Sequence, residues 1–125
     1  MKAGVLSDTH VKTEKELSRL NEIINTYFND VDLVLHAGDY VSPDVLDLLT
    51  SFSKTYAVCG NMDPPELSAI LPIKRTVEIK FFKIGLIHGW GPPFGLIERV
   101  KKEFIGVDCI VFGHSHQPLN EIIDG

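Results

Sequence analysis

Five short apolar runs in this 125-residue chain each stop at a small polar group able to hold a cation or a phosphate. Ala3-Gly4-Val5-Leu6 leads into Asp8-Thr9-His10, the run 32–37 into Gly38-Asp39, and the run 55–59 into Gly60-Asn61-Met62-Asp63. Ile84 to Ile87 leads into His88-Gly89, and Cys109 to Phe112 into Gly113-His114-Ser115-His116. Apolar runs of this length, bounded by glycine and polar residues, read as buried strands. In open α/β sheets ligands bind beyond the carboxyl ends of the strands. Groups far apart in sequence are therefore expected to meet at one sheet edge.

The intervening segments are amphipathic, which makes the chain α/β. Thr13 and Glu16 form a capping box ahead of Leu17, Leu20, Ile23, Ile24, Tyr27 and Phe28 at helical spacing. Ser42 as N-cap and Pro43 at the first helical position open a second helix. Its buried side is Val45, Leu46, Leu48, Leu49 and Phe52. Arg75 to Lys80 alternates apolar and charged residues, the pattern of a half-exposed strand, and Lys83 to Ile87 is expected to pair with it as a hairpin. Phe94 to Phe104 reads as a third helix with Ile97, Val100 and Phe104 on one face. Leu119 to Ile123 reads as a last strand, and Asp124-Gly125 as a hairpin turn. The expectation is of a truncated form, or of a sheet edge left open or covered by a partner.

The length is that of a single domain. The net charge of −5 argues against extended nucleic-acid binding, which needs a basic face. A small phosphorylated substrate is compatible with it, because bound cations supply positive charge locally. No apolar run approaches the ~18 residues of a membrane span, and no signal-peptide core follows Met1. The expectation is a cytoplasmic protein with no membrane partner. Cys59 and Cys109 lie in apolar runs and are expected to be buried core thiols.

Within the motifs, residues i and i+2 of an extended chain point the same way. Asp8 with His10, and His114 with His116, are thus paired toward one site. The glycines at 38, 60, 89 and 113 permit sharp turns and close backbone approach. Carboxylate, amide and imidazole donors without a thiolate suit Mn2+, Fe or Zn2+. A carboxylate can bridge two ions about 3.5–4 Å apart, and Asp39 is the choice for that bridge. His36 sits inside a strand and is read as structural. Asp63 either contacts substrate or caps its turn, the latter being favoured. Trp90 to Phe94 either walls the pocket or packs as a surface loop, and Lys74 and Arg75 are read as solvated strand charges.

Asp-x-His, Gly-Asp, Gly-Asn, His-Gly and Gly-His-x-His, in this order from Ser7 to His116, resemble the calcineurin-like metallophosphoesterase superfamily. The size and the Gly-Asn-x-Asp variant are similar to its small bacterial and archaeal phosphodiesterase branch. The resemblance implies a four-layer αββα sandwich of two mixed sheets, formed by one domain over residues 1–125. The second sheet would be incomplete, for want of the usual C-terminal strands. It implies that Asp8, His10 and His116 bind a first metal, that Asn61, His88 and His114 bind a second, and that Asp39 bridges them. Asp39, Asn61 and His114 would serve catalysis. The cofactor implied is a pair of divalent ions, Mn2+ first, with Fe, Zn2+ or Ni2+ as alternatives.

The function implied is hydrolysis of a small phosphodiester or nucleotide-like substrate by a hydroxide bridging the two ions. Homo-oligomerisation is left open. Two other functions fit the same resemblance: a phosphomonoesterase, and a non-catalytic interaction scaffold such as the retromer subunit of this fold. Many relatives carry a histidine after the asparagine. Met62 stands there in this chain, and a thioether donates no proton.

Overall fold

A computed structural model describes residues 1–123, so the turn expected at Asp124-Gly125 lies outside the described residues. The local signals of the N-terminal half set its elements. Strand β1 spans Ala3–Leu6 and helix α1 Glu14–Tyr27, where the Thr13 hydroxyl accepts the Glu16 N–H as the capping box requires. Strand β2 spans Leu33–His36, helix α2 Pro43–Phe52 behind its Ser42 cap, and strand β3 Thr55–Ala57. A four-residue helix α3, Pro65–Ser68, follows. Pro64 caps it and Pro65 opens it, a position where the fixed φ of proline suits a helix and its missing N–H is not needed. Strands β4, Lys74–Ile79, and β5, Phe82–Ile87, form the expected hairpin; α4, Leu96–Lys101, and β6, Cys109–Val111, complete the order.

The strands make two three-stranded sheets, β1-β2-β3 and β4-β5-β6. The first is parallel throughout, and the second mixes an antiparallel β4–β5 pair with a parallel β5–β6 pair. Strand β2 is buried along its whole length, as a central parallel strand covered on both faces must be. Its alternating side chains serve two cores. Val34 packs with Ile24, Val45 and Leu49 under the helices, whereas Leu33 and Leu35 pack between the sheets with Val77 and Leu86. On the far side Ile87 meets Leu96 and Val100 of α4. The order helices, sheet, sheet, helix is the expected four-layer sandwich.

Several expectations are corrected. Helix α4 starts two residues late, because Gly95 turns with φ 76°, and Phe94 is 80% exposed. Strand β6 is an edge rather than a buried strand, so Cys109 is exposed, and Cys59 is only half-buried. Leu119 to Ile123 is no strand: residues 117–123 carry no regular structure and are exposed. An apolar alternation specifies a strand only when a neighbour pairs with it, and here none does among the described residues. Lys74 is ion-paired with Glu103 at 3.0 Å, and Arg75 lies over the Tyr56 ring, instead of both being free in solvent.

Candidate metal centre

Register puts the strand ends level. Leu6 faces His36 across β1–β2, and His36 faces Ala57 across β2–β3. The chain therefore leaves the sheet at one height, toward Asp8, Asp39 and Gly60. The first two loops stay bonded beyond the sheet, with Asp8 N–H donating to Gly38 O at 2.9 Å and His10 N–H to Asp39 O at 3.1 Å. Beyond the second sheet Gly113 N–H donates to His88 O at 3.1 Å, and His114 N–H crosses to the first sheet's loop, donating to Asp8 Oδ2 at 3.1 Å.

These loops are strained. Asp8, His10, Asp39, His114 and His116 have φ of 54°, 46°, 62°, 77° and 59°, a region that costs an L-residue roughly 1–2 kcal/mol. Such strain persists where surrounding bonds over-determine the backbone, and it concentrates at functional sites. Asp63 supplies the bonds around Asp39. Its Oδ2 accepts the N–H of Asp39 at 3.0 Å and of Gly60 at 2.7 Å, and its Oδ1 those of Tyr40 at 2.7 Å and Val41 at 3.1 Å. Both carboxylate oxygens are thus occupied by backbone, which is the turn role. The same turn returns to its neighbour, since Met62 N–H donates to Asp39 Oδ1 at 2.8 Å.

Two groups of side chains converge on Asp39. In the first, Asp8, His10, Asp39 and His116 each offer an atom within 4.8 Å of the others. His10 Nε2 is 3.3 Å from Asp39 Oδ2, and His116 Nε2 is 3.2 Å from Asp8 Oδ1. Asp8 Oδ1 and His10 Nε2 are buried without a hydrogen-bond partner. A buried polar atom without a partner is costly, and a cation would satisfy both.

The second group is His88 and His114. His88 Nδ1 must donate to Ala37 O at 2.8 Å, and His114 Nε2 to Gly91 O at 2.8 Å, because a carbonyl only accepts. In the neutral rings this leaves His88 Nε2 and His114 Nδ1 as bare acceptors, and they face each other at 3.3 Å. His88 Nε2 is also 3.3 Å from Asp39 Oδ2. Lone pairs in that arrangement call for a cation between them. Asp39 Oδ2 is thus 3.3 Å from a histidine nitrogen of each group. Both donor sets fit divalent ions of the type that oxygen and imidazole bind.

Asn61 is not brought in. It is exposed and makes no hydrogen bond among the described residues, although both its neighbours, Gly60 and Met62, touch Asp39. His36 stays outside the group. It is fully buried, accepts the Gly38 N–H on Nδ1 at 3.0 Å, and so donates from Nε2 to the Thr9 hydroxyl at 3.1 Å. Burial, with the charge of His88 adding to it, lowers its pKa from 6.5 to about 3, so it is a neutral strut. Sequence reasoning missed Arg99. Its guanidinium donates to the carbonyls of Trp90, Pro92 and Phe94 and fixes the loop whose Gly91 carbonyl orients His114. The Trp90–Phe94 loop thus acts on the site through its backbone. No local pattern marks Arg99, since its acceptors are set only by the loop's path.

A cavity of about 740 Å³ runs from Ser7, Asp8 and His116 into the gap between β1 and β6, over Val5, Ile110 and Phe112.

Residues 1–125 match the calcineurin-like phosphoesterase superfamily domain. A probable metallophosphoesterase of Methanothermobacter thermautotrophicus is 39% identical over 121 residues, which are 95% of this chain and 69% of that protein. Another from Methanocaldococcus jannaschii is 37% identical over 123 residues, 95% of this chain and 60% of its own length. Among solved structures, a protein described as a novel archaeal phosphodiesterase superposes with a TM-score of 0.75 at 27% identity, covering 99% of this chain and 79% of its own. Entamoeba histolytica Vps29 in complex with Zn2+ superposes with a TM-score of 0.70 at 26% identity, covering 100% and 70%.

Proposed function

This chain belongs to the calcineurin-like phosphoesterase superfamily, and from that membership we propose that it hydrolyses phosphodiesters at a centre holding two divalent cations. The first would be held by Asp8, His10 and His116, and the second by His88 and His114, with Asp39 shared; Asn61, exposed in this structure, would have to turn inward to join the second. One observation carries this reading: Asp39 Oδ2 is 3.3 Å from a histidine nitrogen of each group. When bound, such cations supply a water of lowered pKa and positive charge at the phosphoryl oxygens.

The chain's own residues do the rest. The Asp63 carboxylate accepts the Asp39 backbone N–H and fixes its turn, and the Met62 N–H donates to the Asp39 carboxylate. Ala37 O and Gly91 O fix the two imidazole tautomers so that bare nitrogens face the centre. Met62, 51% exposed beside Asp39, offers no proton to a departing alkoxide. Substrates whose leaving group departs without protonation, such as aryl phosphodiesters, suit that arrangement. Manganese is the first metal to test, given the mixed oxygen and nitrogen donors.

Metal-depleted protein reloaded with Mn2+ should hydrolyse bis-(p-nitrophenyl) phosphate faster than the phenyl monoester. Asp39→Ala should lower the rate by at least ~10²-fold, the scale of one strong electrostatic stabiliser, and reduce bound metal below two ions per chain. An unchanged rate and metal content in that variant would refute the assignment. The likeness to zinc-bound Vps29 favours one alternative, a metal-holding interaction scaffold. Two ions bound per chain without turnover on any phosphoester would select it.

A further inference from the structure

The two oxygens of Asp8 have opposite surroundings. The Ser7 hydroxyl donates to Oδ2, and the His114 N–H donates to the same oxygen at 3.1 Å. Neither bond can run the other way, because an ionised carboxylate only accepts. Oδ1 is buried and has no hydrogen-bond partner. It faces three imidazole nitrogens instead: His116 Nε2 at 3.2 Å, His10 Nε2 at 3.7 Å and His88 Nε2 at 3.8 Å. One oxygen is therefore taken by the protein, and the other is turned to the centre.

The terminal torsion of an aspartate is broad and roughly two-fold, so the carboxylate by itself does not choose which oxygen it presents. The bonds on Oδ2 make that choice. Among the described residues Ser7 is the side chain that supplies one of them.

The opposite sheet keeps room for this contact. Gly113 lies just past β6 and does not have a positive φ, so its backbone conformation does not call for glycine. An added Cβ would lie 2.9 Å from Ser7 Cβ and closer still to Ser7 Oγ and Asp8 Oδ2. The second sheet's loop thus closes directly onto the Ser7–Asp8 pair, and His114, the next residue, brings its N–H to Oδ2 from there.

We propose that Ser7 is a positioning residue of the metal centre. Its hydroxyl, with the His114 N–H, occupies Asp8 Oδ2 and leaves Oδ1 as the one oxygen offered to a cation, and Gly113 provides the space. Ser7 acts through Asp8 and needs no contact with cation or substrate. The inference rests on the two-cation reading above and adds a residue that lies outside the Asp-x-His motif.

The test is calorimetric titration of metal-depleted protein with Mn2+, alongside urea unfolding of the same metal-free protein. Ser7→Ala should weaken binding of at least one ion about tenfold or more, the range expected when a metal ligand loses its hydrogen-bond partner. Gly113→Ala should weaken it from the other side by crowding the same oxygen. Because both substitutions act on Asp8 Oδ2, the double variant should lose less than the product of the two single losses. Thr9→Val is the control. It removes a neighbouring hydroxyl that bonds His36 rather than a carboxylate, and its Mn2+ affinity should stay parental. Parental affinity in Ser7→Ala, with or without a lower unfolding midpoint, overturns the proposal and leaves the two-cation reading standing. A loss in Thr9→Val as large as that in Ser7→Ala overturns it, as do losses that multiply in full in the double variant. A parent protein that binds no Mn2+ overturns both the proposal and the reading beneath it. None of these readouts depends on phosphoester hydrolysis.

Discussion

Asp63→Asn replaces one carboxylate oxygen with an amide nitrogen and leaves the volume nearly unchanged, so its effect isolates what the carboxylate does. In the parent, each oxygen accepts two backbone N–H groups: Asp39 and Gly60 on Oδ2 at 3.0 and 2.7 Å, Tyr40 and Val41 on Oδ1 at 2.7 and 3.1 Å. Asparagine keeps one acceptor oxygen. Whichever way its amide turns, an NH2 group faces two N–H donors, and those two lose their partner. At about 1–3 kcal/mol for each donor left unsatisfied, the substitution should cost about 2–6 kcal/mol. A domain's stability is typically 5–15 kcal/mol, so the variant should still fold at 25 °C. The pair released is either Asp39 with Gly60 or Tyr40 with Val41, so one left-handed residue loses its bond: Asp39 at φ 62°, or Val41 at φ 71°, a β-branched residue for which that region is a genuine outlier. The turn should relax, carrying the Asp39 side chain off its position between His10 and His88. The assays are urea unfolding with the m value monitored, and calorimetric Mn2+ titration of the metal-depleted protein. The expected result is a lower midpoint at unchanged m, with metal affinity reduced more than tenfold. A loss of stability under about 1 kcal/mol together with parental metal affinity would refute the claim that Asp63 holds the Asp39 turn.

Gly60→Ala should also act through Asp39, because an added Cβ would lie 2.1 Å from Asp39 Oδ1 and 2.6 Å from its backbone nitrogen. Metal binding measured by titration should weaken more than tenfold, and parental binding would show that the turn yields freely. His36 should make stability depend on pH. Its pKa is 6.5 when unfolded and about 3 when folded, so the unfolded chain binds the extra proton in that window and stability is lost as pH falls from 6.5 toward 3. At 1.36 kcal/mol per unit the loss is on the order of 3 kcal/mol between pH 6.5 and 4.5. Unfolding curves of metal-free protein should show a shallower acid slope in His36→Gln, and equal slopes would sink the assignment.

The conserving feature of the site in sequence terms is punctuation. Glycine and polar residues that stop an apolar run act locally, so Asp8, Asp39, His88 and the Gly113–His116 motif were legible as strand-end groups before any folding was considered. The caps at Thr13 and Ser42 and the alternation over Thr76 to Ile79 were legible for the same reason. Partners chosen by chain path were not. Arg99 finds three carbonyls in the Trp90–Phe94 loop, and Asp63 reaches back 24 residues to Asp39. Cys109 was misjudged because burial of an apolar strand depends on whether it is central or at the edge, and β6 has a neighbour on one side only.

The amino-acid order alone determined most of the strands and helices, α3 and the segment after His116 excepted, because periodicity, caps and turn residues act over a few positions. It also determined the donor types at the strand ends. Tertiary structure alone decided that Leu6, His36 and Ala57 stand level, that one oxygen of Asp39 lies midway between two histidines, and that five site residues take left-handed backbone. Those are consequences of register and of hydrogen bonds between segments distant in sequence, and no local pattern encodes them.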